Sequence, residues 1–366
     1  MKRFGAVALA LIFVLITACA EDTPVVEETV LPSESQQQET VSQPVEIPTE
    51  EPQEEGPVNP LTGLPMDEEK ISARPVAIML NNSKAAMPQQ GNSEADIIYE
   101  IVTEGGITRM LAVYQSVENL GIVGSIRSSR EYYIDIALGH DAIYIHAGGS
   151  EQAYDDLAAL DVDHMDGVRG KYSYAGNGLF WRDRDRVEGK HYDSEHSLVA
   201  TGESITKALA ESGFRLEHNE DYACDMLFAE DGTPVNGDNA DTIIVPFSNY
   251  KTGTFKYDAE SRLYLAEEYG GAYIDGNTGE QIAVTNVLVL RTDVKKTGDS
   301  YGHVDVVLSA GDGWFACGGK IIPITWEKSN REAQFRYFTM DGESLVLGQG
   351  KSYVNIISNE KEIECQ

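Results

Sequence analysis

Residues 20–57 cannot fold by themselves, and this confines any folded domain to the residues after them. The stretch holds eleven acidic residues and six prolines, with no lysine, arginine or aromatic residue. It offers too little apolar surface for burial to offset the chain entropy lost on folding. Like charges and prolines also extend a chain. The sequence therefore predicts a disordered tether at 20–57 and a folded part at 58–366.

A short apolar segment precedes the tether. After a positively charged start, the apolar run at 6–16 is too short to span a bilayer but fits the apolar part of a signal peptide. The run ends in the residues ITAC at 16–19, the lipobox pattern. We expect residues 1–18 to be a signal peptide and Cys19 to carry the lipid anchor, at the outer face of the bacterial cytoplasmic membrane. Secretion after cleavage at the same place is the alternative.

The acidic composition excludes one class of partner. The chain has 60 Asp and Glu against 28 Lys and Arg, a formal net charge of −32 at pH 7. Such a surface is repelled by phosphate backbones, so we expect no nucleic acid partner. We expect no metal and no cofactor, because the cysteines left after lipidation have no metal-ligand spacing. Cys224, Cys317 and Cys365 are either free thiols or include one disulfide, Cys317 to Cys365.

The folded part is longer than one core usually organises, and its pattern changes near 216–240. Before this stretch, signals for strands and helices alternate. After it, the signals are almost all short strands separated by Gly, Asn and Asp turns. We therefore expect an α+β protein, with an α/β layered domain at 58–222 followed by an all-β domain, a sandwich or a barrel, at 223–366.

Local patterns place the elements of the first domain. Residues 95–102 and 107–115 read as strands of a hairpin that turns at two glycines. Residues 128–131 (SSRE) match a capping box that opens a helix. A strand at 142–146 ends at a histidine, and the residues GGS at 148–150 lead into another helix.

Arginines cluster in this acidic chain, since seven of the fourteen lie between Arg109 and Arg186. Arg127 and Arg130 flank the predicted helix start, where free N–H groups and the helix dipole favour an anion. The guanidinium fork matches a carboxylate or a phosphate, and the carboxyl ends of strands form the usual ligand crevice of an α/β sheet. The candidate ligand-binding residues are Arg109, Arg127, Arg130, His146, Gly148, Gly149, Ser150, Arg182 and Asp183.

A structural role for these arginines is the open alternative, because a chain so rich in acids offers many carboxylates for them to neutralise. The carboxylates near them in sequence are Glu100, Glu104, Asp135 and Asp183. No nucleophile-elbow, zinc-protease or P-loop motif is present, so no catalytic residue is assigned and an enzyme is the less favoured reading. Residues 275–279 (DGNTG) fit a hairpin turn better than a calcium loop.

Several runs of the folded part match the pattern of a known family. They are 59–63 (NPLTG), 74–82 (RPVAIMLNN), 95–100 (ADIIYE), 104–109 (EGGITR), 124–130 (GSIRSSR), 146–150 (HAGGS) and 180–183 (FWRD). By these runs, and by further matches up to residue 357, the chain resembles the YerB-like bacterial lipoproteins. The resemblance implies an extracytoplasmic location and a two-part domain of unknown function. Residues 195–198 (EHSL) depart from the family's Pro-His-Asn-Leu-Tyr segment.

The sequence thus predicts a membrane-anchored extracytoplasmic lipoprotein that binds an anionic cell-wall or other envelope component, or serves as a scaffold for an envelope protein. The alternative is a transferase or hydrolase that modifies a wall glycopolymer or peptidoglycan with the same arginines. Its strand, arginine-bearing helix start and Gly-rich turn have a loose likeness to the phosphotransferases that attach glycopolymers to peptidoglycan. A carboxylate or histidine beside the arginines in a pocket would favour the enzyme.

Overall fold

The structure is a computed structural model that describes residues 56–176, 178–187 and 194–366. The chain divides into two units, Met1–Glu54 and Glu55–Gln366, and the described residues belong to the second. The predicted signal peptide, Cys19 and residues 20–55 of the predicted tether lie outside the described residues.

The helices of the described part are short. The α-helices are Glu68–Ile71 (α1), Glu131–Gly139 (α2), Glu151–Ala159 (α3) and Gly202–Ala210 (α4). Turns of 3-10 helix lie at Lys84–Ala86, Asn92–Glu94, Glu104–Gly106, Gly170–Tyr172, Asp185–Val187 and Ser194–His196. Within the described ranges, no helix combines the length and apolar character needed to cross a membrane.

Strands make up most of the regular structure. The first twelve are Val76–Asn81 (β1), Ile97–Val102 (β2), Thr108–Tyr114 (β3), Ile122–Gly124 (β4), Ile143–His146 (β5), His164–Asp166 (β6), Trp181–Arg182 (β7), Leu198–Thr201 (β8), Leu227–Ala229 (β9), Asp238–Asn239 (β10), Thr242–Pro246 (β11) and Thr252–Asp258 (β12). The others are Leu263–Glu268 (β13), Gly271–Ala272 (β14), Ala283–Val284 (β15), Asn286–Thr292 (β16), Val294–Lys296 (β17), Val304–Val306 (β18), Ala310–Cys317 (β19), Lys320–Glu327 (β20), Arg336–Thr339 (β21), Val346–Gly348 (β22), Ser352–Ser358 (β23) and Glu364–Cys365 (β24).

One large sheet organises the fold. Its strand order is β10-β20-β19-β16-β23-β2-β3-β1-β5-β6, with β21 beside β20. Every residue of β1, β2, β3 and β5 is buried, which is typical of strands covered on both faces. A second sheet, with the order β14-β13-β12-β11-β24 and β15 beside β13, contributes apolar side chains to the core on one face. Helices α2 and α3 pack on the other face.

The regular structure is mostly strand with a few helices, which agrees with the expected α+β class. The layering of the sheets and helices differs from the expectation. A separate all-β sandwich or barrel after residue 222 is not what forms. Strand β23 lies between β2 and β16 and runs parallel to both, so residues on the two sides of the expected boundary share one sheet. Residues 223–366 are rich in strands as predicted, but a local pattern does not specify which distant strand becomes the partner.

The local patterns of the first domain predict its strands and helices, but not the way in which α2 begins. Strands β2 and β3 form the predicted antiparallel hairpin. The predicted capping box is wrong, because Arg130 is the N-cap of α2 and no side chain caps it. Ser129 lies instead in extended backbone that bridges to Gly149. Residues 314–326 belong to two strands, β19 and β20, which turn at two glycines with positive φ.

The three cysteines of the described part are free thiols. Cys317 is only 3% exposed, and burial raises the pKa of its thiol to about 11. Cys365 is exposed. Because the thiolate is the reactive form, we expect a thiol reagent to modify Cys365 in the native protein and Cys317 only after unfolding. Mass mapping of labelled peptides checks this, and a native Cys317–Cys365 disulfide would contradict it.

Candidate functional site

The carboxyl ends of three parallel strands meet at one edge of the large sheet. Strands β1, β5 and β6 are parallel and end at Asn81, His146 and Asp166. The segments that lead into α2 and α3 begin at the same edge, where Arg127 N–H donates to the Met79 carbonyl at 2.9 Å. We call this region, the ends of β1, β5 and β6 with the starts of α2 and α3, the strand-end edge.

The structure brings the predicted glycine turn and the predicted arginine segment side by side. Ala147 N–H donates to the Arg127 carbonyl and Ser129 N–H to the Gly148 carbonyl, each at 2.9 Å. Ser150 is the N-cap of α3, because its hydroxyl accepts from Ala153 N–H at 3.1 Å. The backbone groups of this turn are therefore used to join the two segments and not to face a ligand.

Arg109 and Arg130 are buried and share one carboxylate. Arg109 is 2% exposed, and both arginines contact Glu104, Arg130 with an Nη2–Oε1 distance of 2.7 Å. Burial and, after it, the nearby charge of Arg130 lower the pKa of Arg109 to about 10. Burial alone would raise the pKa of Glu104, but the charges of the two arginines outweigh it and lower that pKa. Arg109, Arg130 and Glu104 therefore match the alternative in which the arginines have a structural role and neutralise carboxylates of the fold.

Arg127 is more open than the other two. Its Nη2 donates to Glu195 Oε2 at 2.5 Å, and the two side chains are 17% and 54% exposed. Water weakens an ion pair that has an exposed partner such as Glu195. Among the predicted arginines that pair with a carboxylate, Arg127 is the one whose charge a competing anion can reach at lowest cost.

Arg182 and Asp183 have separate roles. The Arg182 guanidinium lies 4.6 Å from the ring centroid of Tyr174 and donates to the carbonyl of Ser194. The Asp183 carboxylate accepts the backbone N–H groups of Asp185 and Arg186 at 3.1 and 3.4 Å. Asp183 therefore caps a turn and does not neutralise Arg182.

His146 is fully buried rather than exposed at the edge. Its Nδ1 pairs with the Gly148 carbonyl at 2.8 Å, and its ring stacks on Tyr144 with centroids 5.2 Å apart. Its Nε2 has no hydrogen-bond partner among the described residues. Burial lowers the pKa of His146 to about 4, against an opposite effect of the Asp166 charge. The imidazole is therefore neutral near pH 7 and closed to a surface ligand.

Sequence reasoning missed two features. Arg169 is exposed at the strand-end edge, three residues after β6, and the rule that selected Arg127 also applies to it. The second is a buried lysine cluster, in which Lys251 contacts the carboxylates of Glu100 and Glu268 in the interior. Its three members lie far apart in sequence, so no local motif marks them.

Two clefts of the described part lie away from the candidate arginines. One of about 510 Å³ is next to Lys70 and Glu94, and one of about 280 Å³ is next to Cys224 and Phe338. No candidate arginine lines either of them. Among the described residues, no group of three or more His, Cys, Asp or Glu side chains is arranged to hold a metal ion.

Comparison with known proteins gives consistent matches. Residues 61–215 match the family described as protein of unknown function (DUF3048) N-terminal domain, and residues 243–354 match its C-terminal domain. The chain is 30% identical over 309 residues to "Putative lipoprotein YerB" of Bacillus subtilis (strain 168), covering 81% of this chain and 85% of that protein. The crystal structure of YerB protein from Bacillus subtilis superposes with a TM-score of 0.71 at 28% identity, over 84% of this chain and 99% of that one.

These matches include both halves of the shared sheet and most of the length of the relative. The solved relative also has the same fold over nearly its whole chain. The chain belongs to the YerB-like family, whose two-part domain has no assigned function.

Proposed function

We propose that this chain is an extracytoplasmic lipoprotein, anchored through Cys19, that binds an anionic cell-envelope ligand at the strand-end edge. The name of the Bacillus relative and the lipobox at 16–19 support the location. The exposed Arg127–Glu195 pair supports the ligand site. The anchor holds the folded part outside the membrane, where anionic wall components are within its reach.

The Arg127–Glu195 pair is the observation that carries the binding site. At this edge Arg109 and Arg130 share Glu104, whereas Arg127 pairs with Glu195. A ligand oxyanion that replaces Glu195 on Arg127 exchanges one charged hydrogen bond for another.

Binding is favoured over transfer or hydrolysis. A reaction needs a base beside the arginines, and the candidate groups at the edge are already engaged. Asp166 accepts from Gly148 N–H and the Tyr154 hydroxyl, and Glu195 pairs with Arg127. His146 is enclosed, and Glu104 is held between two guanidinium groups. An enzyme is the second candidate. It would require a rearrangement on ligand binding that releases one of these groups to act as the base.

The first test measures sedimentation of residues 55–366, a unit of its own, with purified cell wall that carries its anionic polymers. We expect Arg127→Ala to weaken binding roughly tenfold, the typical effect of losing one charged hydrogen bond. We expect Glu195→Gln to strengthen binding, because it removes the carboxylate that competes with the ligand. Arg130 is left unchanged, because its removal would leave Glu104 and Arg109 poorly paired in the interior.

Arg262→Ala is the matched control, because Arg262 also forms an exposed ion pair, with Asp231 at 2.8 Å, next to the start of β13. All variants should melt within a few degrees of the wild type. If Arg127→Ala and Arg262→Ala weaken binding equally, or if Glu195→Gln has the same sign as Arg127→Ala, the site is not at Arg127.

A further inference from the structure

Carboxylates neutralise most arginines of the described residues, but not all. Leaving Arg184 aside, nine of the described arginines are ion-paired with a carboxylate, and Arg169, Arg182 and Arg186 have none from the described residues within ion-pair distance. Because the chain has 60 acidic residues, the lack of a carboxylate partner among the described residues distinguishes these three arginines from the other nine. The three lie within eighteen residues of one another in sequence.

Arg186 is used inside the fold. Its guanidinium donates to the carbonyls of Pro88 and His196, each at 2.6 Å, and to Gln90 Oε1 at 3.2 Å. Burial lowers its pKa to about 10. Arg186 therefore joins three segments of the chain, which leaves Arg169 and Arg182 as the arginines open to a ligand.

Both remaining guanidinium groups are stacked on tyrosine rings. Arg169 lies 3.8 Å from the ring centroid of Tyr154, and Arg182 lies 4.6 Å from that of Tyr174. Tyr154 is itself fixed, because its hydroxyl donates to Asp166 at 2.7 Å. Stacking occupies the face of a guanidinium and reduces the entropy lost on binding, while the N–H groups along its edge can contact an anion. In Arg182 the Nη1 group already donates to Ser194, so the other N–H groups are the ones left for an anion.

Arg169 follows the end of β6 at the strand-end edge, and Arg182 lies on β7, where its stacking partner Tyr174 is bonded to that edge. Tyr174 N–H donates to the Gly167 carbonyl at 3.0 Å, and Gly167 N–H donates to the His146 carbonyl at 2.8 Å. Arg127 joins the same edge through its carbonyl, which accepts from Ala147 N–H. Two separate tyrosines hold Arg169 and Arg182, and Glu195 holds Arg127, so the three guanidinium groups present several contact points rather than one convergent pocket.

We infer that Arg169 and Arg182, with Arg127, form a contact strip for a linear phosphodiester polymer of the cell wall. A polymer with repeated anionic groups engages separate arginines, whereas a single small anion needs donors that converge. A phosphodiester stays ionised at all relevant pH values and offers two oxygens to each guanidinium fork. The inference rests on the proposed function, under which the chain lies outside the membrane, and it names the class of ligand.

The net charge of the chain gives this strip a distinctive salt dependence. The Debye length is about 30 Å at 0.01 M salt, about 10 Å at 0.1 M and about 3 Å at 1 M. At the lowest salt, the polymer is repelled by the whole acidic protein. At intermediate salt it senses only the arginines nearby, and at high salt these too are screened. Binding is therefore strongest near 0.1 M, whereas a wholly basic surface would bind best at the lowest salt.

The experiment titrates fluorescently labelled poly(glycerol phosphate) with residues 55–366 and follows anisotropy at the three salt concentrations. Arg169→Gln and Arg182→Gln should each weaken binding roughly tenfold, and the double variant roughly a hundredfold. Arg182→Lys should retain part of the affinity, because it keeps the charge and loses the fork. The control is Arg262→Gln with Arg336→Gln, which removes the same charge from exposed arginines that have carboxylate partners.

The outcomes separate this inference from the proposed function. If the wild type sediments with wall but does not bind the phosphate polymer, or binds polyglutamate equally well, the inference fails and the proposed function stands. The same holds if Arg127→Ala lowers wall binding while the Arg169 and Arg182 variants bind the polymer like the control. If the wild type binds neither wall nor polymer, both fail. A maximum near 0.1 M salt that the double variant loses supports the strip.

Discussion

Acidification from about pH 6.5 to about pH 4 is expected to remove several kcal/mol from the free energy of unfolding, through His140 and His146. Both are buried, and burial lowers the pKa of each to about 4 from an ordinary value of 6.5. His140 pairs with Tyr99 at 2.8 Å through Nε2, and its Nδ1 has no partner among the described residues. The Nε2 atom of His146 also has no hydrogen-bond partner among the described residues. A proton added to either ring would be buried without an acceptor.

The sign follows from proton binding. Between pH 6.5 and pH 4, the unfolded chain binds a proton at each histidine and the folded protein does not, so stability rises with pH across this window and falls on acidification. A pKa of about 4 in place of 6.5 corresponds to about 3 kcal/mol for each histidine. Nearby charges modify the shifts, since Asp166 raises the pKa of His146 while His164 lowers it, and Lys328 lowers that of His140.

The measurement is urea unfolding at a series of pH values for the wild type and for His140→Gln with His146→Asn. These side chains keep an amide nitrogen near the position of the bonded ring nitrogen but do not titrate. We expect the double variant to lose most of the dependence between pH 6.5 and 4. His303→Asn is the control, because His303 is partly exposed. Burial raises the pKa of Asp96, which acts in the opposite sense, so the test is the difference between variants. Parallel curves would contradict the prediction.

Replacement of Lys251 by methionine is expected to cost about 3–5 kcal/mol of stability, the range for removing one partner of a buried ion pair. Lys251 is 1% exposed and contacts Glu268 and, at 3.2 Å, Glu100 Oε1. Glu100 also accepts hydrogen bonds from Thr108 at 2.6 Å and Tyr353 at 2.5 Å. Without the ammonium group, two carboxylates stay in the interior with their charge uncompensated.

Lys256→Met is the matched control, because Lys256 lies nearby on β12 and pairs with Glu267 at 2.8 Å, but is 53% exposed. Urea unfolding at neutral pH should show less than about 1 kcal/mol for this control. Equal effects at the two lysines would mean that the buried lysine cluster adds nothing beyond a surface pair. The cluster links β2 to β13, and the hydrogen bond from Tyr353 to Glu100 adds β23. We therefore also expect one cooperative transition across the expected boundary at residue 222.

Local chemistry decides much of this fold, and those parts are predictable from sequence. Strands β2 and β3 flank two glycines, an arrangement that suits a hairpin. The turn at 148–150 leads into α3, which Ser150 caps. In such elements the partners are close in sequence, so propensity, turn residues and capping act within a few residues. The edge where Arg127 and His146 lie together was also predictable from the sequence, because the carboxyl ends of parallel strands meet at one edge of a sheet.

The roles of individual side chains at that edge did not follow from sequence. Arg109, Arg127, Arg130 and Arg182 look alike in a sequence, yet two are buried on Glu104, one is paired at the surface and one is stacked on a tyrosine. Whether an arginine is neutralised depends on which carboxylate the fold places within about 4 Å, and the distance along the chain carries no such information. Arg169 could have been selected by the rule that selected Arg127, but its stacking on Tyr154 is visible only in the structure.

What the sequence determined by itself is the family, the lipobox pattern, the acidic and proline-rich composition of residues 20–57, the strand-rich second half and the location of the arginines. The tertiary structure decided that β23 joins the two halves in one sheet, that Lys251 lies between Glu100 and Glu268, and which arginines remain open. Most of these contacts join residues that are far apart in the chain. Their free energy depends on burial and on the exclusion of water, which exist only once the chain has folded.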